Sequence, residues 1–323
     1  MISFFIRRLV PSLVTMFVMA SLLFLGLYTV GDPIEILVDP SADDAVRSQI
    51  RTQLGLDLPL YKQFLMFLQN AWHGDLGTSF VHNVPAIELI MQRLPATFEL
   101  AAVAILIAVL AGIPLGMYAG LKPQSGGAKT IMVGSIIGFS LPGFWIGLML
   151  ILGFSVFAGW LPAGGRGETT LLLGVPVSFL TLDGWKHLVL PAFTLSLYKT
   201  ALIIRLSRAG TREVLQQDYI KFARAKGVPQ FRIVALHVLK NIAIPIVTVI
   251  GLEFGALIAF AIVTESVFAW PGMGKLMIDS VLHLDRPVVV AYLMITLLLF
   301  VLINFVVDVL YLILDPRLRT KTA

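Results

Sequence analysis

TREVLQQDYIKFARAKGVPQFRIVALHVLKN, residues 211–241, is a polar and basic island in a chain that is otherwise mostly apolar. Between Arg205 and Lys240 stand eight basic residues, Arg205, Arg208, Arg212, Lys221, Arg224, Lys226, Arg232 and Lys240, against two acids, Glu213 and Asp218. Basic connections between apolar spans are held on the cytoplasmic side of a membrane, so this loop belongs inside. The same stretch sets Leu215, Tyr219, Phe222 and Ala223 at helical spacing, an apolar stripe on a segment whose charge keeps it out of the bilayer. A stripe so placed requires a partner. Gly227 ends the helix, and Val228-Pro229 restarts one that runs through His237 and Leu239 into the next apolar span.

Composition makes the rest of the chain the counterpart of that island. Of 323 residues, 58% are hydrophobic and 13% charged, with a mean hydropathy of +0.90. Such a chain is a polytopic membrane protein. Its net charge of +5 gathers in the cytoplasm-facing segments, so topology accounts for it and nucleic-acid binding is not implied. The absence of cysteine excludes disulfides, thiolate metal sites and thiol catalysis. His73, His82, His187, His237 and His283 show no paired ligand spacing, and no metal site is expected.

Six apolar runs are expected to cross the membrane, at about 9–30, 97–118, 131–158, 185–206, 242–263 and 288–312. The first follows Arg7-Arg8 and lacks the short core and small-residue cleavage site of a signal peptide, so it reads as a span with its N-terminus inside. Residues 31–94 carry eight acids against four strong bases and read as external. Within them Tyr61, Phe64, Leu65, Leu68 and Trp72 share one helical face, expected to lie on the bilayer surface or the bundle. Gly112, Gly116 and Gly120, then Gly134 and Gly138, then Gly143 and Gly147, recur every four residues and predict closely packed helices. Pro114 and Pro142 are expected to kink theirs. Residues 159–184 read as a Gly-rich external loop, with Trp185 as an interface anchor, and Glu265 to Gly274, ESVFAWPGMG, as an external re-entrant or interfacial turn.

Charged groups inside apolar runs are the candidates for function. Glu253 is costly at that depth unless it faces a cavity or finds a partner, and it stands between a pathway-lining role and a structural one. Asn304 and Asp308, four apart, are expected to bond to neighbouring helices. Neither Gly126-Gly127-Ala128-Lys129-Thr130 nor Gly274-Lys275-Leu276 meets the pattern of a phosphate loop, the first because Ala128 intervenes and the second for want of a hydroxyl. The chain is therefore not expected to bind ATP itself, and an ATP-driven process requires a separate ATPase.

The chain resembles the membrane subunits of ATP-binding-cassette importers, in the version carried by dipeptide, oligopeptide and nickel permeases. The basic loop is similar to their cytoplasmic coupling loop through Asp218-Tyr219-Ile220 and Ala223-Arg224-Ala225-Lys226-Gly227. Gly31-Asp32-Pro33, Leu54-Gly55-Leu56-Asp57, Gly74-Asp75-Leu76-Gly77 and Arg93-Leu94-Pro95-Ala96-Thr97 extend the resemblance outside, with ESVFAWPGMG and Asp315-Pro316-Arg317 behind them. Aligned on Gly227, Lys221 stands at the broad family's Glu position, Phe222 at its first Ala, and His237 and Leu239-Lys240 at its later Ile and Leu-Pro. These departures resemble the peptide-permease variant.

The resemblance implies an all-α fold of six transmembrane helices, the type I importer permease fold. Residues 1–30 would be an N-terminal span, 31–94 an extracytoplasmic segment, 95–316 a five-helix core containing the coupling loop 207–240, and 317–323 a cytoplasmic tail. It implies a permease half in the bacterial cytoplasmic membrane, both termini inside, paired with a homologous second permease, two ATPase subunits that bind ATP and Mg, and an extracytoplasmic substrate-binding protein. In that reading Tyr219, Phe222 and Ala223 form an apolar docking face for an ATPase, with Ala225 beside them and Gly227 setting the bend. Short peptides lead the expected cargo, ahead of glutathione and other small solutes and then nickel chelates. The rivals are an ion-coupled carrier using Glu253 and Asp308, against which no internal repeat is visible, and a membrane scaffold that recruits a cytoplasmic protein without transport.

Overall fold

Within a bilayer every backbone polar group must be bonded internally, so an apolar run folds as a helix. The structure, a computed structural model, describes residues 2–29, 34, 43–53 and 56–314. Gly31-Asp32-Pro33, Leu54-Gly55, Asp315-Pro316-Arg317, the tail and the side chains of Arg7 and Arg8 lie outside the described residues. The chain divides into two units, one of Met1–Leu94 with Lys275–Val301, the other of Pro95–Gly274 with Leu302–Ala323.

The first unit begins with α1 (Ile2–Thr29) and continues through α2 (Asp44–Gln53) and α3 (Leu60–Trp72). Helix α3 is the expected amphipathic helix: Phe64 meets Phe17 and Phe24 of α1 at ring separations of 6.0 and 5.2 Å, while Tyr61, Leu65 and Trp72 stay exposed. Its start is held by Gln63, whose amide donates to the carbonyls of Leu56 and Leu58. A tight loop follows, closed by Ser79 N–H to Val84 O and Ala86 N–H to Gly77 O, both 2.9 Å. Asp285, buried at the start of the last helix, accepts from the Ser79 hydroxyl and from the backbone N–H groups of Phe80 and Val81. One carboxylate thereby fixes both ends of this unit's sequence to each other.

Helix α4 (Ala86–Leu121) leads from the first unit into the second, where α5 (Gly126–Ser140), α6 (Gly143–Leu150, then π-helical over Ile151–Phe157), α7 (Leu182–Gln216), α8 (Asp218–Ala225), α9 (Gln230–Phe260) and α10 (Ile262–Val267) follow. The chain then runs through α11 (Met273–Leu282) and α12 (Arg286–Leu314). Among the described residues four helices are long and apolar enough to cross a membrane, α4, α7, α9 and α12. Helices α5 and α6 form a fifth if taken as one span, and α1 holds a shorter apolar run, Val10–Gly26. Each of the six expected runs falls on one of these segments.

The third run departs from expectation. In place of one kinked helix over 131–158, α5 and α6 meet at a bend of 104°. Pro142 cannot donate and forces Leu141 out of the helical region, to φ −81° and ψ 137°, so the ladder ends at Leu141 N–H to Ile137 O and restarts after the proline. Pro114, by contrast, sits inside an unbroken α4.

The glycine stripes divide in the same way. A Cβ on Gly112, Gly116 or Gly120 would stand 2.5–2.7 Å from Ile203, Ile204 O or Thr211 of α7, so α4 and α7 pack backbone to backbone along this stripe. Gly134 and Gly143 have nothing within 4 Å, and Gly138 only Leu197 O at 4.0 Å, whereas a Cβ on Gly147 would stand 3.1 Å from Phe268 and 3.3 Å from Val267. Of these four glycines Gly147 alone packs closely within this chain. The Gly-rich external loop contains a hairpin, β1 (Thr170–Leu172) antiparallel to β2 (Val175–Val177), with Leu173 and Gly174 both at positive φ in the turn.

Candidate functional site

The basic loop is built on a buried apolar floor. Ile220, Val214, Ile233, Val238, Ile242 and Ile246 pack together, with Leu215 and Val228 against them, so α8 is seated on the end of α7 and the start of α9. Ile220 and Ala223 are the residues α8 turns inward. Tyr219 and Phe222 point away, 44% and 61% exposed. The face expected to unite Tyr219, Phe222 and Ala223 is therefore split: Ala223 belongs to the floor, because it lies one turn from Ile220 on the side that meets the core. Ala225 is exposed beside the outward pair. The Lys226 ammonium lies 4.5 Å from the Phe222 ring centroid, and the Tyr219 and His237 rings are 6.0 Å apart.

Gly227 ends α8 at φ 74°. Its N–H bonds to Arg224 O and that of Val228 to Ala223 O, a paired capping pattern that needs a left-handed residue between helix and exit. Val228 then joins the floor and Pro229 opens α9. The loop is thus a capped, floor-seated elbow with two exposed aromatic rings and a basic rim.

Within the membrane-spanning part, Glu253 of α9 is ion-paired with Lys199 of α7. Lys199 also lies 5.0 Å from the ring of Tyr198, which stacks on Phe139 at 4.7 Å, and the Arg205 guanidinium covers that same ring at 4.3 Å. Sequence reading named Glu253 without its partner. The available signal was Lys199 itself, a lone cation in the middle of an apolar run.

Toward the other end of this unit's helices, Glu99 of α4 is saturated by donors. Arg166 donates through Nε and Nη2 at 3.0 and 2.6 Å, and Ser178 N, Ser178 Oγ and Phe179 N donate at 2.6, 2.7 and 2.8 Å. Arg166 also binds Pro176 O, so the hairpin is clamped to the helix. The ESVFAWPGMG string is likewise interior in this unit: Trp270 is fully buried, its indole donating to Ala96 O at 2.9 Å, and Glu265 accepts from the Thr97 hydroxyl. Gly272 and Gly274 are small because their backbones abut the Glu265 carboxyl. The one polar atom of the Trp270 side chain thus finds its partner inside the protein. Among the described residues no group of three or more His, Asp or Glu is placed to hold a metal ion.

The class of protein to which this elbow between apolar helices belongs is shown by comparison with known sequences. Residues 112–320 match the family described as binding-protein-dependent transport system inner membrane component, and residues 1–101 match the N-terminal domain that accompanies it. The chain belongs to this family: it is a multi-pass inner-membrane permease subunit of an ATP-binding-cassette importer.

Among individual relatives, it is 39% identical over 322 residues to the glutathione transport system permease protein GsiC of Escherichia coli K12, covering 99% of this chain and 100% of that one. The GsiC of Shigella boydii is 38% identical over the same length. Of solved structures, the MetNI methionine transporter in its inward-facing conformation superimposes with a TM-score of 0.52 at 16% identity, over 70% of this chain and 96% of that chain, a likeness of fold.

Proposed function

We propose that this chain is one half of a heteromeric permease that carries short peptides and peptide-like solutes such as glutathione inward, driven by two separate ATPase subunits. Its termini face the cytoplasm, a homologous second permease completes the pathway, and an extracytoplasmic binding protein delivers the cargo. ATP and Mg belong to the ATPases. The observation that carries this reading is the pair of outward rings, Tyr219 and Phe222, on an elbow whose other face is locked into the helix ends. Full-length similarity to glutathione permeases supports the cargo class, and the pairing of Glu253 with Lys199 leaves an ion-coupled carrier without its free carboxylate.

ATP binding acts by stabilising one arrangement of the ATPases, and a rigid α8 passes that preference to α7 and α9, on which it is seated. Tyr219→Asp/Phe222→Asp is expected to leave the subunit inserted, since both side chains are largely exposed, while removing the ATPases from a mild-detergent pull-down and abolishing ATP-driven uptake. Ile220→Ala is the contrast, because it opens the floor and costs about 2–5 kcal/mol of stability. Wild-type uptake in the double Asp variant, or uptake that persists when ATP is removed with ion gradients clamped, would overturn the assignment.

A further inference from the structure

We propose that Lys199 and Glu253 form a charged station on the translocation route, where the pair parts to hold the carboxylate and the ammonium of a zwitterionic solute. This rests on the importer reading above and assigns residues to its cargo. Glu253 sits midway along the apolar run 242–263, 11 residues from Ile242 and 10 from Val263, so roughly 15 Å of helix lies on either side. A charge at that depth cannot face acyl chains cheaply, and an ion pair there is seldom more stable than well-packed apolar residues.

Contrast with Glu99 separates a structural carboxylate from this one. Glu99 takes five donors and is 2% exposed at its side chain, with no capacity left. Glu253 meets one ammonium, and the two side chains keep 24% and 12% of their exposure. A carboxylate accepts at about four positions and an ammonium donates at three, so both ends of the pair retain open valence for a ligand. The surface beside them is the exposed Tyr198 ring, stacked on Phe139 over Arg205, which offers an apolar face together with a hydroxyl to a solute held at the pair. A solute with two opposite charges can exchange into the pair without leaving either charge uncompensated.

The natural absence of cysteine makes the test direct. In the assembled importer in nanodiscs, Tyr198→Cys reports access while keeping both charged side chains of the pair, read by a charged, water-soluble thiosulfonate in nucleotide-free and ATP-bound states. Tri-alanine is the probe, with N-acetyl-tri-alanine amide as its uncharged counterpart. Labelling in at least one state, slowed about tenfold by tri-alanine and not by the blocked form, is expected, as is a comparable loss of tri-alanine uptake in Lys199→Met/Glu253→Gln with assembly and ATP hydrolysis retained. No labelling in any state places the pair inside an interface and overturns the proposal. So does labelling that tri-alanine leaves unchanged, or wild-type uptake by the doubly neutral variant, which would make the pair a structural clasp. Failure of the unmodified complex to take up tri-alanine with ATP would instead overturn the cargo reading, and is seen without any variant.

Discussion

Glu99→Leu removes the acceptor on which the outer hairpin depends. In the folded chain the carboxylate is 2% exposed and its Arg166 partner 10% exposed at the side chain. Removing one member of a buried pair costs ~3–5 kcal/mol, because the other is left charged and unsolvated. The N–H groups of Ser178 and Phe179 lose their acceptor too, each at ~1–3 kcal/mol if it stays buried. The chain avoids the full sum by letting the hairpin leave, which returns Arg166 and both amides to water. Local opening therefore becomes easier by ~3–5 kcal/mol, a rise of roughly 150- to 4,000-fold in exchange at Ser178 and Phe179. Hydrogen exchange read by mass spectrometry in nanodiscs measures it, alongside proteolysis in the Gly-rich segment Gly164-Gly165-Arg166-Gly167, while the floor beneath α8 keeps its protection. Glu99→Leu/Arg166→Leu should recover part of the loss by removing the orphaned guanidinium. If the single variant protects Ser178 and Phe179 as well as wild type does, the clamp is not what holds the hairpin.

Gly116→Val introduces a Cβ 2.5 Å from the Ile204 carbonyl oxygen, so α4 and α7 must separate; a loss of ~1–3 kcal/mol and a lower midpoint in detergent thermal unfolding are expected, whereas Gly134→Val, with nothing within 4 Å, should leave that midpoint unchanged. Gly227→Ala meets no neighbour, and at φ 74° its cost is purely conformational, about 1–2 kcal/mol; the expected readout is ATP hydrolysis that uptake no longer follows in proportion, since the exit angle of α8 is relaxed.

Much of the architecture was legible because a bilayer asks simple questions of a sequence. Apolar runs placed the membrane-crossing segments, and Lys/Arg bias marked the loop that holds α8. Local chemistry also predicted the break at Gly227 and the helix over Leu60–Trp72. What failed was choice of partner. Spacing treated Tyr219, Phe222 and Ala223 as one face, yet Ala223 lies about 40° round the helix axis from Tyr219 and about 100° from Phe222, on the side that is buried. The hairpin went unseen because Leu173 occupies a turn position where glycine or asparagine is the usual signal.

By itself, then, the amino-acid order determined a polytopic helical membrane protein with a basic cytoplasmic elbow, since hydropathy, helical period, proline and charge bias all act over short range. Tertiary structure decided which charges are satisfied and which stay available. Glu99 finds Arg166 across 67 positions and Glu253 finds Lys199 across 54, and no local pattern records such separations. The same held for the glycines: Gly112, Gly116, Gly120 and Gly147 met a facing surface while Gly134 and Gly143 did not, because close packing depends on the surface opposite as much as on the residues that permit it.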